Sequence, residues 1–154
     1  MLKQVIYGIL FSLFLLTGIN SLHAEETRKE TPTKAKELND AERRKFDYFF
    51  FEGLNLKTAG KFDAAFDAFN YCLAIDSTAS PVLYELSSFY VQMNRPEKAV
   101  DMLQRAVDNS TDNFTYRMAL ATISRNLGMY GEAAEEYEKL VKAFPGKPEL
   151  NYYL

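Results

Sequence analysis

Gly60-Lys61-Phe62-Asp63-Ala64-Ala65-Phe66-Asp67-Ala68-Phe69 returns later in the chain as Gly128-Met129-Tyr130-Gly131-Glu132-Ala133-Ala134-Glu135-Glu136-Tyr137. Midway between them stands a third version, Asn94-Arg95-Pro96-Glu97-Lys98-Ala99-Val100-Asp101-Met102-Leu103. The three openings, Gly60, Asn94 and Gly128, are 34 residues apart. A fixed period of that length, with small and large residues at constant offsets, marks a helical repeat array in which each unit buries its apolar face only against its neighbours.

In this register the copies run 46–79, 80–113 and 114–147, each with two helices. Gly60, Asn94 and Gly128 are where the first helix of each copy stops, because Gly, and after it Asn, best tolerates the left-handed conformation that ends a helix. The second helix follows at once, and in the middle copy Pro96 occupies its first turn, where a missing N–H costs nothing. Ala65, Ala99 and Ala133 recur at one offset, with Phe69, Leu103 and Tyr137 four residues later. Gly53, Ser87 and Ala121 form a second row of small residues in the first helices. Such rows let two helices approach closely while larger residues fill the space beyond. Ser77, Thr111 and Pro145 end the second helices. Ahead of the first copy, Asn39 with Glu42 three residues on has capping-box spacing, so a helical extension leads in and the repeat region spans 39–147. The expected fold class is all-α.

These residues resemble the tetratricopeptide repeat, whose pattern of aromatic, Gly, Ala and Pro positions spans 34 residues. The first copy matches through Phe49, Gly53, Gly60, Phe62, Ala65 and Phe69, with Cys72 in place of Ala and Ser77 in place of Pro. The second matches through Leu83, Leu86, Tyr90, Ala99 and Ala106, and the third through Leu120, Gly128, Tyr130, Ala133, Tyr137 and Pro145. Arg117 stands where a large apolar residue is expected. The resemblance implies a right-handed superhelical solenoid of helix-turn-helix units, whose concave face is lined by the first helices and grips peptides or other proteins. It implies no reaction.

Some members of that family clamp the C-terminal carboxylate of heat-shock chaperones with Lys, Asn and Arg. The matching positions here are Phe50, Leu54, Glu85, Thr115 and Ala119; none can play that part, and Glu85 would repel a carboxylate. The resemblance instead gives an apolar groove of Phe50, Phe51, Leu54, Tyr84, Val91 and Met118, with Lys57, Glu85, Gln92, Arg125 and Asn126 as polar members. The candidate peptide-binding residues are Phe50, Phe51, Leu54, Tyr84, Glu85, Met118 and Arg125. Phe50, Tyr84, Met118 and Tyr152 form a ladder with one rung per repeat. Two readings of it stand: large residues at this offset pack neighbouring first helices together, or their remaining exposure docks an apolar or aromatic segment.

The N-terminal residues read as an export signal. Lys3 gives the positive end, Val5 to Thr17 is an apolar run, and Ser21-Leu22-His23-Ala24 offers a cleavage site, with Leu22 larger than that position usually takes. Residues 1–24 would then be removed, leaving an exported periplasmic or secreted product; the alternative is an uncleaved inner-membrane anchor at 4–22. From 25 to 38 acids and bases alternate around Pro32 with almost no apolar content, which fits a charged flexible linker.

Charge and composition narrow the function. The chain has 18 Lys and Arg against 21 Asp and Glu, a net charge of −3, so it lacks the electrostatic footprint of a nucleic-acid binder. The basic run Arg43-Arg44-Lys45 beside Glu42 and Asp47 reads as a solvated helix face. Cys72 is alone and fits a small buried hydrophobe. His23 is the single His, and no zinc spacing or phosphate-cradling glycine loop is present, so no cofactor, metal or enzymatic activity is expected. The paired acids Glu135 and Glu136 read as a solvated face. The function that remains is a protein-interaction scaffold of the cell envelope with a protein or peptide partner, or the structural arm of a longer envelope protein. Residues 148–154 open a fourth first helix and stop, leaving Tyr137, Leu140, Val141 and Phe144 partly open to a further segment or to self-association.

Overall fold

The computed structural model describes residues 36–153, so the expectations for the leader at 1–24, the anchor at 4–22 and most of the linker at 25–38 lie outside the described residues. Six helices follow in order: α1 (Asp40–Thr58), α2 (Phe62–Ile75), α3 (Ser80–Gln92), α4 (Pro96–Asn109), α5 (Phe114–Asn126) and α6 (Tyr130–Ala143). A short 3₁₀ helix, Pro148–Tyr153, comes last, and no strand occurs among the described residues. The second helices begin at Phe62, Pro96 and Tyr130, which keeps the period of 34. α1 pairs with α2, α3 with α4 and α5 with α6, while α2 packs on α3 and α4 on α5, making an all-α helical repeat solenoid.

The corners follow from the residues at their apices. Gly60, Asn94 and Gly128 have φ of 74°, 55° and 78°, the left-handed conformation that their identity foreshadows. Around Gly60 the Lys61 N–H donates to Leu56 O at 2.9 Å and the Gly60 N–H to Lys57 O at 3.1 Å, which satisfies carbonyls that would otherwise end the helix unpaired. The same pair of bonds recurs from Arg95 to Tyr90 and from Asn94 to Val91, and again from Met129 to Ser124 and from Gly128 to Arg125. At the start of α1 the Asn39 side chain accepts from the Ala41 and Glu42 N–H groups while Glu42 accepts from the Asn39 N–H, a complete capping box.

Three buried clusters occupy the seams. Ala65, Phe69 and Cys72 of α2 meet Val82, Leu86 and Phe89 of α3. Leu103 and Val107 of α4 meet Leu120 of α5, and Ala133, Tyr137 and Leu140 of α6 gather around Ala121. The small-residue row has its tightest member in the first copy: a Cβ on Gly53 would lie 2.9 Å from Phe69 Cε1. Cys72 is fully buried, its thiol donating to Phe46 O at 3.6 Å, and burial, with Asp47 nearby, pushes the thiol up to about 11.

The structure corrects three expectations. Lys36, placed in the flexible linker, donates to Glu42 Oε1 at 2.9 Å and to Ile75 O at 3.0 Å, so the linker's last residues are tied to α1 and α2. Glu136 is not on a solvated face: it is 6% exposed, held by Arg117 Nη1 and Lys139 Nζ, both at 2.5 Å, whereas Glu135 is exposed as expected. The face ending the third copy is also better closed than seven residues promised. Leu150 is buried with Tyr137 and Leu140, and the Tyr153 ring stacks on Tyr137 at 4.8 Å with 9° between planes. Leucine and tyrosine do by insertion and stacking what a full helix would do by length, and the segment turns as a 3₁₀ helix, which suits so short a run.

Candidate functional site

On the first-helix side, α3 and α5 with the end of α1 frame a groove of about 510 Å³. Its apolar surface comes from Tyr84 and Val91 of α3 and from Phe114, Met118, Ala119 and Ile123 of α5, with Leu103 of α4 behind them. Lys57, Ser87, Ser88, Thr115, Thr122 and Asn126 are its polar members. Spacings of three and four residues, 84-88-91 on one helix and 115-119-122-126 on the other, turn these positions to one side. The groove exists because the period places successive first helices side by side.

Three of the six polar members are engaged within the chain. Lys57 Nζ donates to Glu85 Oε2 at 2.6 Å, tying α1 to α3, with the two side chains 36% and 17% exposed. Ser87 Oγ donates to Tyr84 O at 2.6 Å and Ser88 Oγ to Glu85 O at 2.7 Å, so both hydroxyls are turned onto their own helix. The Tyr84 ring lies 5.3 Å from Tyr116. Burial above all, and then Tyr84 and Glu85, raise the Tyr116 phenol above its ordinary range, which keeps it a neutral hydroxyl.

Of the residues proposed from the sequence, Tyr84 and Met118 line the groove, and Glu85 bears on it through Lys57. Phe50 and Leu54 pack against the first core cluster instead. Phe50 stacks on Phe46 at 6.1 Å and meets Phe69 edge-on at 6.1 Å, so for this rung packing prevails. Phe51 is exposed against the edge of Phe50, away from the groove lining. The Arg125 guanidinium sits over the Tyr153 ring at 5.4 Å, and Tyr152, the last rung, is 91% exposed outside the groove. Thr115 and Ala119, which cannot serve as clamp positions, line the groove together with Ser88, Thr122 and Ile123, none of which the repeat pattern marks. Their shared spacing was the available signal.

Among the described residues no helix is long and apolar enough to cross a membrane, and no group of three or more His, Cys, Asp or Glu is placed to hold a metal.

Two models described as "Tetratricopeptide repeat" match the chain, one over residues 56–123 and one over 114–147. No curated protein sequence matches it. Among solved structures, the crystal structure of MamA is similar with a TM-score of 0.63 and 22% identity, over 73% of this chain and 66% of that one. This chain therefore spans just under two thirds of the MamA chain. The first tetratricopeptide domain of Spaghetti (RPAP3), bound to an HSP90 peptide, has a TM-score of 0.62 at 18% identity over 71% of this chain and 86% of that one. SycD, a type III secretion chaperone of Yersinia enterocolitica in complex with a peptide of the translocator YopD, has a TM-score of 0.62 at 16% identity over 74% and 87%. The helix periods, the left-handed corners and the two matching repeat models agree, and residues 56–147 belong to the tetratricopeptide-repeat family.

Proposed function

We propose that this chain is a non-enzymatic scaffold that docks a segment of a partner protein in the groove between α3 and α5. The observation that carries this is the apolar surface left open on the first-helix side, built around Tyr84 and Met118 and, among the described residues, not filled from within the chain. The solved relatives with bound peptides, RPAP3 and SycD, support the class of function. Export to the cell envelope is part of the same proposal and rests on Lys3, the apolar run to Thr17 and the site at Ala24. A photo-crosslinker at Met118 should give one defined adduct that is lost in Tyr84→Ala, while the same group at exposed Tyr130 on α6 should give none. Equal crosslinking from both positions would contradict docking in the groove.

A further inference from the structure

Resting on that groove reading, we infer that Glu85 is a specificity-determining residue: it masks Lys57 and so restricts the groove to uncharged apolar segments, excluding acidic ones. Among the described residues Lys57 is the only charged side chain in the groove lining, and its ammonium is held 2.6 Å from the Glu85 carboxylate. Glu85 does not itself line the groove, so its charge acts there by cancelling that of Lys57. The serine hydroxyls of Ser87 and Ser88 are committed to backbone carbonyls of α3. What the groove offers a ligand is therefore the apolar surface of Tyr84, Val91, Met118 and Ile123, with the hydroxyl and amide groups of Thr115, Thr122 and Asn126 beside it.

An anionic segment entering here would lose hydration and meet no free cation among the described lining residues, which makes it a poor ligand. Complementarity of charge thus commits the occupant to a neutral apolar peptide segment of a partner protein. Discrimination of this kind works by withholding an interaction as much as by offering one. Removing the mask reverses the preference, because Lys57 then becomes a free donor on an otherwise apolar wall.

The test uses two fluorescent synthetic peptides with one shared Leu- and Phe-containing core. One is uncharged and amidated; the other carries Glu residues and a free C-terminal carboxylate. Anisotropy titrations should show the neutral probe binding wild type and Glu85→Gln alike. The acidic probe should bind Glu85→Gln about tenfold more tightly than wild type, the size of one charge-assisted hydrogen bond. Lys57→Met added to Glu85→Gln should abolish that gain. Circular dichroism melts of all variants verify the fold. An acidic probe that binds wild type and Glu85→Gln equally, or a gain that survives Lys57→Met, overturns the mask alone. A neutral probe that fails to bind wild type contradicts the groove reading itself, and with it this inference.

Discussion

The second and third copies fill one pair of positions of the repeat in opposite ways. In the second, Leu83 and Met102 stand at equivalent places on the first and second helix, and Leu83 is buried; in the third, the same two places hold Arg117 and Glu136. Arg117 is 12% exposed by side chain, pairs with Glu136 across α5 and α6, and donates through Nη2 to Thr111 O at 2.9 Å. A buried carboxylate would be costly alone, and so would a cation this far from water, but Arg117, with Lys139, answers Glu136. If the frame accepts either filling, both halves must change together. The first copy adds a variant of its own: the small residue facing Phe69 is Gly53, where an added Cβ would lie 2.9 Å from the ring, whereas the later copies carry Ser87 and Ala121 at that place.

The largest expected effect comes from breaking the pair on one side. Glu136→Ala leaves the partly buried Arg117 without its carboxylate and should cost about 2 to 3 kcal/mol in denaturant unfolding. Changing both, Arg117→Leu with Glu136→Met, transplants the second copy's filling and should return stability to within about 1 kcal/mol of wild type or above it. A double variant as unstable as the single would show that the two copies are not interchangeable frames.

Next in size is Gly53→Ala. Its Cβ meets the buried Phe69 ring, and overpacking of about 1 to 3 kcal/mol is offset by about 1 kcal/mol of helix propensity, so a net loss of about 1 kcal/mol is expected. Smaller still is Asn94→Gly, which relieves the residual strain at φ 55° and should raise stability by about 0.5 kcal/mol, bringing this corner level with Gly60 and Gly128. At neutral pH the effect of Cys72 is the smallest, because its thiol is protonated in folded and unfolded chain alike. With its thiol raised from 9.0 to about 11, its contribution to stability is complete below pH 9 and is lost as pH climbs toward 11. Iodoacetamide at pH 8 should leave Cys72 unmodified until the protein is unfolded, and rapid labelling of the native chain would show that the first seam opens.

Period and corner residues carried most of the fold. Gly60, Asn94 and Gly128 are legible because left-handed backbone restricts residue identity, and Asn39 with Glu42 because capping needs those side chains at that spacing. The Arg117–Glu136 pair was not legible, since its members are 19 residues apart and each taken singly reads as a departure from pattern or a solvated charge. The groove was legible in part. Tyr84 and Met118 stand out by size, whereas Thr115, Ala119 and Thr122 matter by facing the same way and carry no chemistry that marks them. Phe50 misled because a large residue at the groove offset is claimed by Phe46 and Phe69 in the first copy.

Docking in the groove is the central claim, and methyl NMR tests it most directly. With the neutral apolar peptide added, the Met118 and Ile123 methyl resonances should shift in a saturable manner, while those of Leu73 and Val141, which lie outside the groove lining, stay in place. Shifts centred on Val141, or none at Met118 and Ile123 at saturating peptide, would contradict the account.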